Sequence, residues 1–213
     1  YRFTHGDDRW GVPIVPYGGG SGVLGGAAAP AGSVAIDTRA MDRILELNET
    51  ALYVTAQAGL MGGEFERRLN AKVYMTGHYP QSIERASVGG LVATRSAGQF
   101  STRYGNIEDL LLALEVVLPD GTVARVGNNP RAAAGPSLRE IFCGSEGALG
   151  LITEVTPRVG EAPEAVTELE AAAIAEEAEA EQELAEAVER EVVETPAPVK
   201  AVPLEADAAL KAG

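Results

Sequence analysis

From Pro16 to Gly26 the chain reads PYGGGSGVLGG, six glycines in eleven residues. Glycine loses more conformational freedom on ordering than any other residue, so such a run needs a reason. Successive glycine amides can turn inward as a nest and hold an anion. A tight glycine-rich turn between two strands fits the same residues. Gly20-Ser21-Gly22-Val23-Leu24-Gly25 is a formal match to G-x-G-x-x-G, but the dinucleotide loop of that pattern must open a helix whose N-terminal amides receive the pyrophosphate. Pro30 and Gly32 leave no room for such a helix, and the next strand begins near Ser33. Asp37 lies 12 residues beyond Gly25, short of the roughly 20 expected for a ribose-binding acid. No Lys-Ser or Lys-Thr follows the glycines, which excludes a P-loop as well.

Other reactive side chains are few. Cys143 is the sole cysteine, so an internal disulfide and a multi-cysteine metal site are excluded. It is expected to pack as a small apolar side chain. No metal site is expected. Of the two histidines, His5 and His78, the second reads as a loop histidine satisfied by backbone, with a catalytic histidine as the alternative. Arg95 and Arg103 suit either anion steering or the surface. Glu108 and Asp109 read as a loop and helix edge without chemistry.

The elements that must position these residues are short. The apolar runs 12–15 and 33–37 read as buried strands. Residues 44–47 and 52–56 flank a polar turn, a hairpin pattern. A helix is expected over 63–70 with Phe65 and Leu69 inward, and another over 88–97, where small residues permit close backbone approach. Pro119-Asp120-Gly121 between apolar runs 110–118 and 122–126 is strong hairpin chemistry. Residues 137–143 read as a short helix with a capping box of Ser137 and Glu140, and 151–155 as a last strand. The formal charge of −14 is unevenly spread: residues 161–213 hold 15 of the 31 acids and 3 of the 17 bases, a net −12. The stretch after Gly160 is Ala/Glu-rich, then Pro-rich, and is expected to be a solvated helix plus linker, with a helix docking on a partner as the alternative. Neither part has the basic stripe that nucleic acid requires. No apolar run approaches the roughly 18 residues of a membrane span. With one cysteine and no visible signal peptide, a cytoplasmic location is expected.

Five segments then occur in a telling order: PYGGGSG (16–22), PQSIERASVGG (80–90), TRSAG (94–98), RYGNIEDLLLALEVVLPDG (103–121) and FCGSEGALGLITEV (142–155). Together they resemble the FAD-binding domain of the vanillyl-alcohol-oxidase or PCMH type over about residues 11–159. TGHYPQS (76–82) and YGNIEDL (104–110) are most similar to the alkyldihydroxyacetonephosphate synthase branch. The glycolate and D-lactate dehydrogenase branch, which shares SVGG, RYG and GSEGxLG, is the alternative.

The resemblance implies an α+β fold of two subdomains with FAD between them, and a cofactor set carried over residue by residue. Pro16, Tyr17, Gly18, Gly19, Gly20, Ser21 and Gly22 would wrap the pyrophosphate. Pro80, Gln81, Ser82, Ile83, Glu84, Arg85, Ala86 and Ser87, with Gly89 and Gly90, would line pyrophosphate and flavin, Ser82 and Ser87 offering hydroxyls. Thr94, Arg95, Ser96 and Ala97 would approach the flavin and ribityl chain. Glu146, Gly147, Ala148, Leu149, Gly150, Leu151 and Ile152 would bind the adenine end. Family members that tether the flavin at the glycine loop use a histidine, and Ser21 stands near that position, so non-covalent FAD is expected.

The domain is thus expected over residues 1–160, lacking the family's first strand and helix, with the acidic tail at 161–213. The family's substrate domain, source of its acid–base residues, has no counterpart in the tail. The expected function is the flavin domain of a synthase-like enzyme exchanging an acyl for an alkyl chain through a flavin adduct, its small-molecule substrate held by the missing domain. A 2-hydroxy-acid dehydrogenase fragment and a non-catalytic interaction module are the alternatives. A missing strand would leave a sheet edge open to self-association.

Overall fold

A computed structural model describes residues 12–127 and 135–163. The chain first forms two parallel strands, β1 (Ile14–Tyr17) and β2 (Val34–Asp37), joined by the glycine loop without any helix. The hairpin β3 (Ile44–Asn48) and β4 (Tyr53–Gln57) follows, then helix α1 (Gly62–Asn70) and the short β5 (Tyr74–Met75). Helix α2 (Val88–Ala93) precedes two single turns, α3 (Ser101–Tyr104) and α4 (Ile107–Leu110). Strands β6 (Leu111–Val117) and β7 (Val123–Val126) form the second hairpin, and α5 (Leu138–Phe142), β8 (Leu151–Pro157) and β9 (Gly160–Glu161) complete the order. This is an α+β fold.

The central element is an antiparallel five-stranded sheet in the order β3-β4-β8-β6-β7. Val54 and Ala56 of β4, Leu114 and Val116 of β6, and Val155 of β8 alternate inward, as a half-buried sheet requires. They meet Phe65 and Leu69 of α1 and Val88 and Val92 of α2 in one apolar core. The inward i, i+4 pair of α1 is as the periodicity dictates. The β6–β7 turn follows its chemistry: Gly121 takes φ 86 and donates to the Leu118 carbonyl, while Asp120 accepts from the Thr122 amide at 2.9 Å.

Three local expectations are corrected. Strand β2 is not buried: Val34, Ala35 and Asp37 are exposed, because among the described residues the β1–β2 sheet has two strands and nothing covers β2's faces. The helix expected over 88–97 ends at Ala93. Arg95 at φ 51 donates to Val92 O, and Ser96 donates to Leu91 O, the two bonds of a Schellman stop. The capping box of α5 is absent: Ser137 makes no side-chain cap bond. Its carbonyl instead accepts from the Glu140 amide at 3.2 Å, closing the turn through backbone. The tail reading beyond Pro163 lies outside the described residues.

Candidate functional site: a glycine-walled cleft

The glycine loop lies opposite α2, and a cleft of about 590 Å³ opens between them. That size is ordinary for a cofactor pocket. Two features bring the walls together. Small residues let α2 sit directly on the strand extension after β4: Val88 and Gly89 donate to the carbonyls of Leu60 and Ala58, both at 2.8 Å. A Cβ on Gly89 would stand 2.6 Å from Ala58 Cβ. The third wall hooks onto the C-terminal carbonyls of α2, where Gly144 donates to Val92 O and Glu146 to Ala93 O. Glu146 takes φ 49 to do so.

The glycine loop is held just as closely. A Cβ on Gly19 would collide with the Arg85 carbonyl, and one on Gly18 with Ser87 Oγ. Two of the loop's glycines are therefore required by protein packing. The amides of residues 18–22 donate to no other group among the described residues. Five unpaired amides in a row at a cleft wall form a donor surface suited to an anion. The α2 N-terminus offers no such surface, since its first three amides are taken by Leu60 O, Ala58 O and Ser87 Oγ.

Most of the residues assigned from the resemblance line this cleft. They are Pro16, Tyr17, Gly18, Gly19, Gly20, Ser21 and Gly22; Pro80, Gln81, Ser82, Ala86, Ser87, Gly89 and Gly90; Thr94, Ser96 and Ala97; and Glu146, Gly147, Gly150, Leu151 and Ile152. Six stand off it. The Ile83 carbonyl accepts from the Gly63 amide. Glu84 pairs with Arg67 at 3.1 Å. Arg85 is exposed, its carbonyl packed on the loop. Arg95 pairs with Glu108 at 3.0 Å. Ala148 and Leu149 lie outside the lining, Leu149 exposed. Ser87 is first a helix cap, its Oγ accepting from the Gly90 amide at 3.2 Å.

The cleft also includes residues no motif carried, among them Val23, Leu24, Thr38, Ala58, Leu91 and Ala93. Thr38 follows β2 directly, and its hydroxyl donates to Tyr17 O. Val23 and Leu24 continue the quoted loop and are largely exposed at its tip.

Behind the α2 wall lies His78, 3% exposed. Its Nε2 is 2.7 Å from Ser96 Oγ, and its amide donates to Thr76 Oγ1. The ring is thus engaged by a side chain, where backbone had been expected. Burial pushes its pKa down to about 4, against an opposing pull from Glu108. Cys143 is buried as expected. Burial, with help from Glu108 and Glu140 and against Arg95, pushes its thiol up to about 11. Asp109 accepts from the Asn106 amide at 2.9 Å at the start of α4, the helix-edge role read from sequence. Among the described residues no cluster of metal-ligating side chains occurs, and no helix is long and apolar enough to cross a membrane.

A family model for the FAD binding domain matches residues 8–127, more than half of the chain. The chain belongs to this FAD-binding family. Its cofactor is FAD, and the small residues and unpaired loop amides of the glycine-walled cleft are of types that suit such a group. The domain is 50% identical over 146 residues to an uncharacterized FAD-linked oxidoreductase, YgcU, of Escherichia coli (strain K12), covering 68% of this chain and 30% of that protein. It is 39% identical over 155 residues to the alkyldihydroxyacetonephosphate synthase of Caenorhabditis elegans, covering 71% and 26%. It is 37% identical over 158 residues to a mitochondrial D-lactate dehydrogenase (cytochrome) of Arabidopsis thaliana, covering 74% and 28%. A solved structure of alkyldihydroxyacetonephosphate synthase superposes with a TM-score of 0.65 at 37% identity, covering 72% of this chain and 28% of that one. The chain thus spans about 30% or less of the length of these relatives.

Proposed function

We propose that this FAD-binding domain serves an enzyme of the alkyldihydroxyacetonephosphate synthase type and holds its flavin non-covalently. The observation that carries the binding mode is the run of five unpaired amides at residues 18–22, in a loop that lines the same cleft as the small residues of α2. In this reading the loop amides hold the pyrophosphate, and the backbone around Gly89 and Gly90 lets the cofactor lie close. Thr94, Ser96 and Ala97 line its flavin-bearing half, and Glu146, Gly147, Gly150, Leu151 and Ile152 its adenine end. Bound flavin supplies the redox and group-transfer chemistry, while the protein orients it and shapes the pocket. Ser21 puts no imidazole in the loop, so the flavin is not tethered there.

The synthase reading draws support from the relative in C. elegans and from the solved synthase structure. A second reading, an FAD-dependent 2-hydroxy-acid dehydrogenase, draws support from the Arabidopsis relative. Acid precipitation of the flavin-loaded chain tests the binding mode: the colour should leave with the supernatant, and colour in the pellet would refute non-covalent binding. Anaerobic D-lactate separates the two activities. Bleaching of the visible flavin band would favour the dehydrogenase. Exchange of the acyl group of acyl-dihydroxyacetone phosphate for a fatty alcohol, without bleaching, would favour the synthase.

A further inference from the structure

A nest built of backbone amides asks nothing of the side chain at position 17. That side chain is nevertheless closely placed. Tyr17 is the last residue of β1, opposite Asp37 of β2. Its carbonyl accepts from both the amide and the hydroxyl of Thr38, at 2.9 and 3.1 Å. Its ring lies against the loop: a Cβ on Gly20 would stand 2.5 Å from the phenol oxygen and 2.9 Å from Cζ. Gly20, at φ 67, is thus required twice over, by its backbone and by this hydroxyl.

A second group holds the ring. Arg39 does not line the cleft, but its guanidinium carbon lies 5.4 Å from the centre of the Tyr17 ring, within the range of a cation–π contact. Asp37 aims it there, its carboxylate accepting from Arg39 Nε at 3.0 Å and from Nη2 at 2.6 Å. Two bonds to one carboxylate fix the plane of a guanidinium, and this is the geometry in which an exposed pair counts. Asp37, Arg39 and Tyr17 form a stack that ends at the loop. Among the described residues the phenol hydroxyl makes no hydrogen bond, and it stands beside five amides in the same condition. A tyrosine hydroxyl can donate. Neighbouring N–H groups give it nothing to donate to, whereas a bound anion would.

We propose that Tyr17 is a side-chain ligand of the anion held by the glycine loop, its phenol hydroxyl adding a donor beside the amides of residues 18–22. Arg39 and Asp37 are positioning residues that hold the ring. An anion that takes up both the amides and the hydroxyl must carry several acceptor oxygens, as a diphosphate does. Its identity as the pyrophosphate of FAD rests on the cofactor placement proposed above; the anion site itself does not.

The full chain is titrated with FAD, followed by flavin fluorescence, and with inorganic pyrophosphate, followed by NMR of the loop amides and tyrosine rings. Tyr17→Phe removes one oxygen and keeps the ring, so the urea midpoint should hold. Affinity for both probes should fall about tenfold, the low end for a hydrogen bond to a charged group. Folded Tyr17→Phe that binds both as tightly as the parent would overturn the proposal, even where Gly22→Val still loses FAD and so upholds the placement. In the unsubstituted chain, pyrophosphate should move the Tyr17 ring signals along with the amides of residues 18–22, and a ring left unmoved would overturn the contact. Arg39→Met should weaken FAD about two- to fivefold, one cation–π contact, and should cost nothing further in Tyr17→Phe. Equal losses in both backgrounds would overturn the positioning role. Binding of pyrophosphate but not of FAD would refute the cofactor placement and leave the anion site standing; binding of neither would overturn both.

Discussion

Gly19 and Gly22 sit three residues apart in one loop, yet their substitution should produce opposite phenotypes. A Cβ on Gly19 collides with the Arg85 carbonyl, a backbone atom that cannot swing aside. Gly19→Ala should therefore cost about 1–3 kcal/mol of stability, the usual penalty of overpacking. Gly22 has no such neighbour: its added Cβ would meet only Thr94 Cγ2, at 3.9 Å. Both residues line the cleft, so a side chain at 22 grows into the space between the loop and the end of α2. Gly22→Val should leave the urea midpoint nearly unchanged. It should disturb one of the loop's amide contacts to the pyrophosphate, a charge-assisted bond of about 1.5–3 kcal/mol. At 1.4 kcal/mol per tenfold, FAD affinity should fall about ten- to a hundredfold. Flavin fluorescence quenching gives the affinity and circular dichroism the fold. Folded Gly22→Val that binds FAD as tightly as the parent would refute placement of the cofactor against this loop.

Ser87→Ala removes the α2 cap and should cost about 1 kcal/mol by chemical denaturation; no loss would mean that the cap bond to Gly90 is idle. Val73, exposed at φ 64 after α1, carries a left-handed penalty of about 1–2 kcal/mol. Val73→Gly should therefore raise stability by up to about 1 kcal/mol after glycine's entropy cost, and a lowered urea midpoint would contradict this. His78 has a folded pKa of about 4 against an ordinary 6.5, so the unfolded chain binds the proton first. Its contribution is complete above pH 6.5 and is lost as pH falls towards 4, at up to about 1.4 kcal/mol per unit. His78→Gln should flatten that slope between pH 6.5 and 5; an identical slope in the variant would argue against a buried neutral ring. Cys143, its thiol raised to about 11, should react with a disulfide reagent at pH 8 only upon unfolding, and fast labelling of the native chain would refute its burial.

The elements legible in the sequence were those whose signal is local. The Pro119-Asp120-Gly121 turn and the Phe65/Leu69 pair dictate their structure from neighbouring residues alone. So does the loop after β1, where Pro30 and Gly32 forbid a Rossmann helix. The corrections come from non-local causes. The apolar pattern of β2 gave no sign that its sheet would have only two strands. Arg95 in a left-handed stop replaces the glycine that usually announces one, so α2 read four residues too long. Strands β5 and β9, two residues each, exist only through pairing across the fold. At the site, motif order brought most of the lining together, but Thr38, Ala58 and Leu91 reach the cleft by tertiary position and carry no motif. The contact between His78 and Ser96 spans 18 residues of sequence, and no spacing rule would have found it.

Uptake of flavin by this chain through the glycine-walled cleft is tested most directly by its visible spectrum. Purified and desalted protein should show a bound flavin spectrum, either as isolated or after incubation with FAD, and should lose it on acid precipitation. A folded, colourless protein whose spectrum and stability ignore added FAD would contradict the central claim.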